Sequence, residues 1–293
     1  MTQKISPEGL ALLGCVKCGI APLTNTDNAV VCGRCGWSAQ VVDNVVNALG
    51  EGVDADFDSL YVTMQENNTT DVISKIMYSR QSALVESMMK PGLVVLDIGC
   101  GPSVPYKKTP GVFLVGLDPS FASVRRNDVL DLALCGSATA LPLGNHSVDL
   151  IVCFYSIHHM VGDRIAETVT NVNNAFSEFA RVLKPNGTLL VFEVCPWPFF
   201  GVVQKVLWPI ARRFIGNAVN YYFWKKRDLG KVSEQHLAGY RHSVKTYHSS
   251  PWAVFPPIFT LQWLKLPRFL YPLSVTLLAW GSASIPLRPN RID

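Results

Sequence analysis

Four groups of residues in this 293-residue chain have the types and spacing to do chemistry. The first is Asp97-Ile98-Gly99-Cys100-Gly101, which closes the apolar run Leu93 to Leu96. Buried strands of parallel sheets read as such runs, and glycines at a strand's end let the backbone turn and approach a ligand closely. The second is Asp118, at the tip of a matching run from Val112 to Leu117, where an acid can accept hydrogen bonds from ribose hydroxyls. Two acids flanking a glycine bend imply a nucleoside-bearing cofactor. A dinucleotide would require Gly-x-Gly-x-x-Gly, but Val104 stands at the third place and Pro102 and Pro105 crowd the turn. The Asp97 carboxylate suits a cationic ligand better than a diphosphate.

The third group is His158-His159, directly after the apolar run Val148 to Tyr155, with Glu193 near the end of the next run, Thr188 to Val194. Histidine is the commonest general base, so either imidazole could take a proton from an acceptor; each could equally be a packing or orienting ring. Glu193 is the second candidate for that work. Phe154 and Tyr155 read as lining for the cofactor.

The fourth group is Cys15-x-x-Cys18 and Cys32-x-x-Cys35, thirteen residues apart, with glycines behind both knuckles. Tetrahedral zinc takes four soft ligands, and two such turns supply two each. A structural zinc is the expectation, with a redox dithiol pair as the alternative. A closed four-thiolate site leaves no open coordination position, so this metal is assigned no catalysis. The ribbon would serve recognition or docking, or simply clip a segment too small for its own core. Cys100, Cys135, Cys153 and Cys195 sit in apolar contexts and read as packing residues.

The elements that must position these groups alternate. Apolar runs at Leu93–Leu96, Val112–Leu117, Ala133–Cys135, Val148–Tyr155 and Thr188–Val194 predict strands. Helical spacing appears over Val72–Lys90, on Ile73, Ile76, Met77, Ala83, Leu84 and Met88, and again over Asn174–Leu183, closed by Lys184-Pro185-Asn186-Gly187. Strands alternating with helices imply a parallel sheet that binds ligands at the strands' C-terminal ends. The expected divisions are a zinc ribbon over 1–48, an acidic linker and leading helix over 49–90, an α/β core over 91–198, and a lid or interface region with the final strands over 199–293.

Asp97-x-Gly99-x-Gly101 resembles the first motif of the class I S-adenosylmethionine-dependent methyltransferases. The likeness continues through Gly136-Ser137-Ala138-Thr139-Ala140-Leu141-Pro142-Leu143, Ser147-Val148-Asp149-Leu150, Ile157-His158-His159-Met160 and Glu178-Phe179-Ala180-Arg181-Val182-Leu183-Lys184-Pro185. Together these resemble the methyltransferase type 11 group, which includes the quinone-biosynthesis methyltransferases. The resemblance implies a seven-stranded Rossmann-like sheet and S-adenosylmethionine as cofactor. Its methionine end would lie at Asp97, Gly99, Cys100 and Gly101, its ribose at Asp118 and Pro119, and its adenine edge at Ser137 and Ala138. Two departures matter. Ser137 stands where the group usually has Asp, so the adenine amino group would be met more weakly or by backbone. The segment Pro102–Gly111 is short and broken by prolines, so the usual first helix is expected to be truncated or replaced by a loop.

Charge is uneven along the chain. From Phe199 onward there are 13 Lys and Arg against 3 Asp and Glu, although the whole chain carries only +4, and the same part holds 17 of the 30 aromatic residues. Between Val202 and Ile215 the apolar residues Val203, Val206, Leu207, Ile210 and Phe214 share one side, with Lys205, Arg212 and Arg213 largely on the other and a kink expected at Pro209. Phe269 to Leu287 runs nineteen residues without a charge. Three readings follow: a transmembrane span, short and interrupted by Pro272 and Gly281; an interfacial surface facing anionic lipid; or a lid with final strands packed on the core or in a dimer. No basic segment followed by an apolar run opens the chain, which makes a cytoplasmic protein the expectation, peripheral on the inner face of a membrane under the interfacial reading.

The functional expectation is O- or C-methylation of a small-molecule or lipid-linked acceptor. Ribosomal RNA guanine methyltransferases resemble this layout too, with a four-ligand zinc ribbon ahead of the core, so an RNA base is the alternative acceptor. Long uncharged apolar runs within the basic region argue against RNA, since phosphate binding does not require them. A core retained as a non-catalytic scaffold is the remaining alternative.

Overall fold

A computed structural model describes residues 5–50, 78–216, 220–246, 252–254, 265–267 and 273–281. The acidic linker, the first turns of the leading helix (Ile73, Ile76, Met77) and the ends of the uncharged run Phe269–Leu287 lie outside them.

The apolar runs assemble into a mixed sheet. Its centre is parallel: β5 (Val94–Ile98) lies between β6 (Phe113–Asp118) and β8 (Val148–Phe154), with β7 (Leu132–Cys135) outside β6 and β9 (Leu183–Pro196) outside β8. Every residue of β5 except its first is buried, as a strand covered on both faces must be. Two short strands, β11 (Trp252–Val254) and β12 (Lys265–Pro267), pair with each other in a separate sheet. Beyond β9, the strand β13 (Leu273–Gly281) runs antiparallel in register from Leu273 opposite Pro196 to Gly281 opposite Thr188, and β10 (Arg241–Thr246) closes that edge. Leu277, Leu278, Ala279 and Trp280 are buried. This corrects the transmembrane reading for 273–281, which are a core strand. Among the described residues no helix is long and apolar enough to cross a membrane.

The expected seven strands are therefore present, in the order β7-β6-β5-β8-β9-β13-β10, but the sheet does not end at β7. The ribbon strands β1 (Thr24–Asn25), β2 (Ala29–Val31), β3 (Ser38–Val42) and β4 (Val45–Asn47) extend it to eleven, with β4 pairing parallel to β7. The ribbon has no separate core. Leu13, Val30, Trp37 and Val41 belong to one buried cluster with Leu132, Leu134, Leu141 and Leu143.

Among the described residues the α-helices are α1 (Pro7–Leu12), α2 (Ser79–Met88), α3 (Phe121–Arg126), α4 (Ile165–Val182), α5 (Pro198–Ile215) and α6 (Lys226–His236). Helix α4 buries Val172, Ala175, Phe176, Phe179 and Val182, a stripe at helical spacing. One local expectation differs from what is observed. The residues Lys184–Gly187 do not form a turn; β9 runs through them and its register against β8 breaks, Val148 facing Leu183 and then Leu150 facing Thr188. Lys184 is held there by an ion pair to Asp149 at 2.8 Å, whose carboxylate also accepts the Val94 N–H. The segment Pro102–Gly111 carries no helix, as its prolines predict.

Candidate active site

The glycine bend sits at the C-terminal ends of β5 and β6. Gly99 and Gly101 both have positive φ, +70° and +55°. A Cβ on Gly99 would lie 2.1 Å from the Ser156 hydroxyl, so the β5 and β8 ends close on each other only because residue 99 has no side chain. Ser156 holds that closure by donating to the Ile98 carbonyl at 3.1 Å.

Asp97 and Asp118 are both buried on this bend. Burial, with the neighbouring Asp118 charge adding to it, pushes the Asp97 carboxyl up to about 7, although the Tyr106 hydroxyl donates to it and works the other way. Asp118 accepts the Gly101 N–H and the Ser120 N–H, one on each oxygen, at 2.9 and 2.8 Å, which fixes the bend. Asn127 donates to the Gly101 carbonyl at 3.0 Å, and its own carbonyl oxygen is buried without a hydrogen-bond partner among the described residues. The Gln81 carbonyl oxygen is likewise buried and unpartnered while its amide donates to the Tyr155 hydroxyl at 2.7 Å. Two carboxylates and two waiting acceptors fit a ligand that brings hydroxyl and ammonium donors. They do not fit a diphosphate.

Aromatic rings pack beside this bend. Phe154 stacks on Phe192 with centroids 4.7 Å apart, and Tyr78 meets Phe154 and Tyr155 edge-on. Tyr155 itself has φ +51°, the conformation of a residue held at a sharp strand exit. Cys100 and Cys153 are buried, which pushes both thiols well above their usual range, and Cys195 is pushed up to about 12. None is a nucleophile at neutral pH.

Ser137 and Ala138 open the loop after β7. The Ser137 hydroxyl is engaged in its own turn, 2.7 Å from the Thr139 hydroxyl and accepting the Thr139 N–H at 3.2 Å. The loop is clamped from two sides. From α4, Glu178 accepts the Leu141 N–H at 2.7 Å, and Arg181 donates to the Leu141 and Leu143 carbonyls at 2.9 and 2.7 Å. From the ribbon, Gly14 donates to the Pro142 carbonyl at 3.1 Å and Leu12 accepts from Gly144 at 2.8 Å. A Cβ on Gly14 would lie 2.7 Å from the Leu143 backbone, so the ribbon touches the loop main chain directly.

His158 and His159 form a 3-10 turn after β8, ring centroids 4.2 Å apart. Glu193, fully buried on β9, accepts from His158 Nδ1 at 2.7 Å and from the His158 and Val194 backbone N–H groups at 3.1 and 2.7 Å. A carboxylate at Nδ1 assigns the ring proton to that nitrogen, so Nε2 is left as the acceptor. His159 differs. Burial, with His158 adding to it, pushes it down to about 3, and its Nδ1 lies 3.1 Å from the Asn220 carbonyl. A strap of residues 220–224 crosses here, Tyr222 donating to the His158 carbonyl at 2.7 Å. Helix α5 carries the strap: Trp208 donates to the Tyr221 carbonyl at 2.9 Å and Gln204 bonds both backbone groups of Phe223.

The structure thus brings Asp97, Gly99, Cys100, Gly101, Asp118 and Pro119 to one bend, with Phe154 and Tyr155 beside it and His158, His159 and Glu193 at the neighbouring strand ends. Sequence reasoning missed Tyr106, Gln81 and Asn127, because a proline-broken loop, a helix start and a short helix's C-cap carry no motif. At the far end of the sheet the Sγ atoms of Cys15, Cys18, Cys32 and Cys35 all lie within 4.8 Å of one another, with Cys15–Cys35 at 3.4 Å and Cys18–Cys32 at 3.5 Å. That is near the ~3.8 Å edge of a sulfur tetrahedron built on Zn–S bonds of about 2.3 Å, so the cluster could hold a metal.

Comparison with known proteins agrees with this geometry. The methyltransferase domain family of the type 11 group matches residues 96–191. The ubiquinone/menaquinone biosynthesis C-methyltransferase UbiE of Bordetella avium is 28% identical over 176 residues, 56% of this chain and 60% of the relative. An uncharacterized methyltransferase-like protein of Schizosaccharomyces pombe is 29% identical over 147 residues, 46% of this chain and 51% of the relative. The Mus musculus protein named "Probable tRNA methyltransferase 9B" is 31% identical over 105 residues, 35% of this chain and 22% of the relative. The chain thus spans between 22% and 60% of these relatives' lengths. In fold, it resembles a chain of the complex between the Haloferax volcanii Trm112 methyltransferase activator and a methyltransferase, with TM-score 0.53 at 16% identity over 78% of this chain and 98% of the other. The strand order and the glycine bend agree with that match: residues 96–191 are a methyltransferase domain of the type 11 group, on a Rossmann-like fold shared with the Haloferax volcanii complex.

Proposed function

We propose that this protein methylates a small-molecule or lipid-linked acceptor at oxygen or carbon, with His158 as the general base. The observation that carries this is the buried Glu193 locked onto His158 Nδ1 beneath the 220–224 strap. S-adenosylmethionine, when bound, supplies the methyl group already activated on a sulfonium. Asp97 and Asp118 would hold its cationic and ribose ends, and the clamped loop at Ser137 and Ala138 its adenine. The protein's remaining work is positioning and proton removal. His158 Nε2 takes the proton of an acceptor hydroxyl or ring carbon as the methyl arrives, and Glu193 stabilises the imidazolium so formed. His159, held neutral, orients the strap. Cys15, Cys18, Cys32 and Cys35 hold a structural zinc, and thiols of this kind suit a reducing, cytoplasmic compartment.

Apolar and aromatic walls beside the base favour a hydrophobic acceptor, in line with the UbiE likeness. The RNA reading rests on the relative named for tRNA. One experiment separates them: purified protein and methyl-labelled S-adenosylmethionine are incubated separately with membrane lipids, soluble metabolites and total RNA. Label in lipids or metabolites is expected. Label in RNA alone would overturn this choice of acceptor, and no transfer to any fraction would favour the scaffold reading.

A further inference from the structure

Helix α5 is amphipathic the wrong way round. It turns Gly201, Gln204 and Trp208 to the protein and its apolar stripe to solvent. Phe199 is 80% exposed, Val202 54%, Val206 62%, Ile210 52% and Phe214 79%, with Leu207 beside them. These positions recur every three or four residues, so they form one continuous outward stripe along the helix. Single exposed apolar residues need no explanation, but a contiguous stripe of this length marks an interaction surface.

The charge around the stripe says what it meets. From Pro198 to Arg227 there are six Lys and Arg residues and no Asp or Glu. Beside the helix lies an open groove of about 540 Å³ lined by Arg164, Arg212 and Arg213 with Asp163 and Trp208. Arg212 is tied to Asp163 at 3.1 Å; Arg164 and Arg213 are exposed. An apolar ridge flanked by guanidinium groups is complementary to a bilayer whose acyl region takes the ridge and whose phosphates meet the arginines. A second copy of the chain fits less well, because a two-fold contact on this face would set the same cations against each other. Spanning is excluded by length and charge: eighteen residues containing Lys205, Arg212 and Arg213.

We infer that α5 seats the protein on an anionic membrane surface, lying in its plane. This deepens the proposed function and rests on it for its consequence: α5 is hydrogen-bonded to the strap over His158, so a lipid-linked acceptor would reach the base from the bilayer side.

The test is co-sedimentation of the full chain with sucrose-loaded vesicles of phosphatidylcholine alone or of three parts phosphatidylcholine to one part phosphatidylglycerol. Binding to the anionic vesicles is expected, weakened by salt, and low on the neutral ones. The double variant Phe199→Asp/Phe214→Asp should lose about a hundredfold in partitioning, near tenfold per inserted ring, with unchanged thermal unfolding because both rings are outside the core. Arg164→Gln/Arg213→Gln should reduce binding to anionic vesicles and erase the preference for them. Absence of binding to anionic vesicles, equal binding by the Phe double variant, or a solution dimer that the double variant dissociates would overturn the inference. Vesicle binding is read without cofactor or acceptor, so it can fail while methyl transfer stands, and the reverse.

Discussion

With the cofactor's cationic end placed at Asp97 as proposed, the ionisation of this carboxyl should make cofactor affinity depend on pH in a way that can be worked out in advance. Burial holds this carboxyl at about 7, against 3.8 for an exposed one. A cation binds the ionised form, which is about 9% of the protein at pH 6 and about 75% at pH 7.5. S-adenosylmethionine should therefore bind about eightfold more weakly at pH 6 than at pH 7.5, releasing about 0.9 proton per site at the lower pH. Titration calorimetry in two buffers of different ionisation enthalpy reads both quantities. The same shift has a stability consequence of opposite sign. A carboxyl whose folded value is raised above its unfolded one binds more protons in the native state, so stability falls as pH rises from about 4 to about 7 and is level above that. The full span is about 4 kcal/mol, an upper value for one buried group. Asp97→Asn removes the penalty, and its amide oxygen can still accept from Tyr106. The variant should unfold at a higher temperature than the parent at pH 8 and bind S-adenosylmethionine at least tenfold more weakly, with a flat pH profile. A pH-independent affinity in the parent, or an Asp97→Asn variant that is both less stable at pH 8 and unimpaired in binding, would refute the placement of this charge.

Three further outcomes follow from other contacts. Glu193→Gln cannot satisfy His158: with its carbonyl toward Nδ1 its amide faces the His158 N–H, and flipped it faces both Nδ1 and the Val194 N–H, so transfer should slow by about 10²–10³ with cofactor affinity retained; a rate within threefold of the parent denies His158 the role of base. His159→Phe, replacing a ring that stays neutral, should change the rate less than tenfold, whereas His158→Phe should match or exceed the loss in Glu193→Gln, as measured with the same labelled acceptor. Metal analysis should find one zinc per chain, and chelation should lower both the unfolding temperature and the affinity for S-adenosylmethionine, because the ribbon bonds the loop that starts at Ser137; unchanged calorimetry after complete removal would separate ribbon from site.

What could be seen in the residues alone depended on how local the cause was. The strand-and-glycine unit at Val94–Gly101, the acid at Asp118 and the four cysteines are set by backbone turn chemistry and ligand spacing, both of which act over a few positions. The loop contacts were not visible in that way. Tyr106 reaches Asp97 from a segment with no periodicity, and Asn127 reaches Gly101 across twenty-six residues. Leu273–Gly281 has the composition of a span and the place of a strand; nine residues of uncharged chain bury equally well against β9 or in lipid, and only pairing decides. The stripe on α5 was legible as a stripe, but its direction was not. Periodicity shows that one face is apolar without showing which face meets the protein, and here Gly201 and Trp208 take the inner side.

The ribbon and the site are connected through one loop. Glu178 and Arg181 hold residues 141–143 from the helix side, and Gly14 and Leu12 hold 142–144 from the ribbon side. Neither clamp touches the places assigned to the cofactor, yet between them they fix the backbone on which Ser137 and Ala138 stand. That matters more here because Ser137 replaces the acid usual in this group and spends its hydroxyl on Thr139. An adenine edge recognised by backbone rather than by a carboxylate depends on how rigidly that backbone is held. A ribbon that shares the sheet and the core, instead of hanging from a linker, supplies that rigidity. It follows that Gly14→Val, which pushes a side chain into the Leu143 main chain, should weaken cofactor binding with all four thiols and their metal intact.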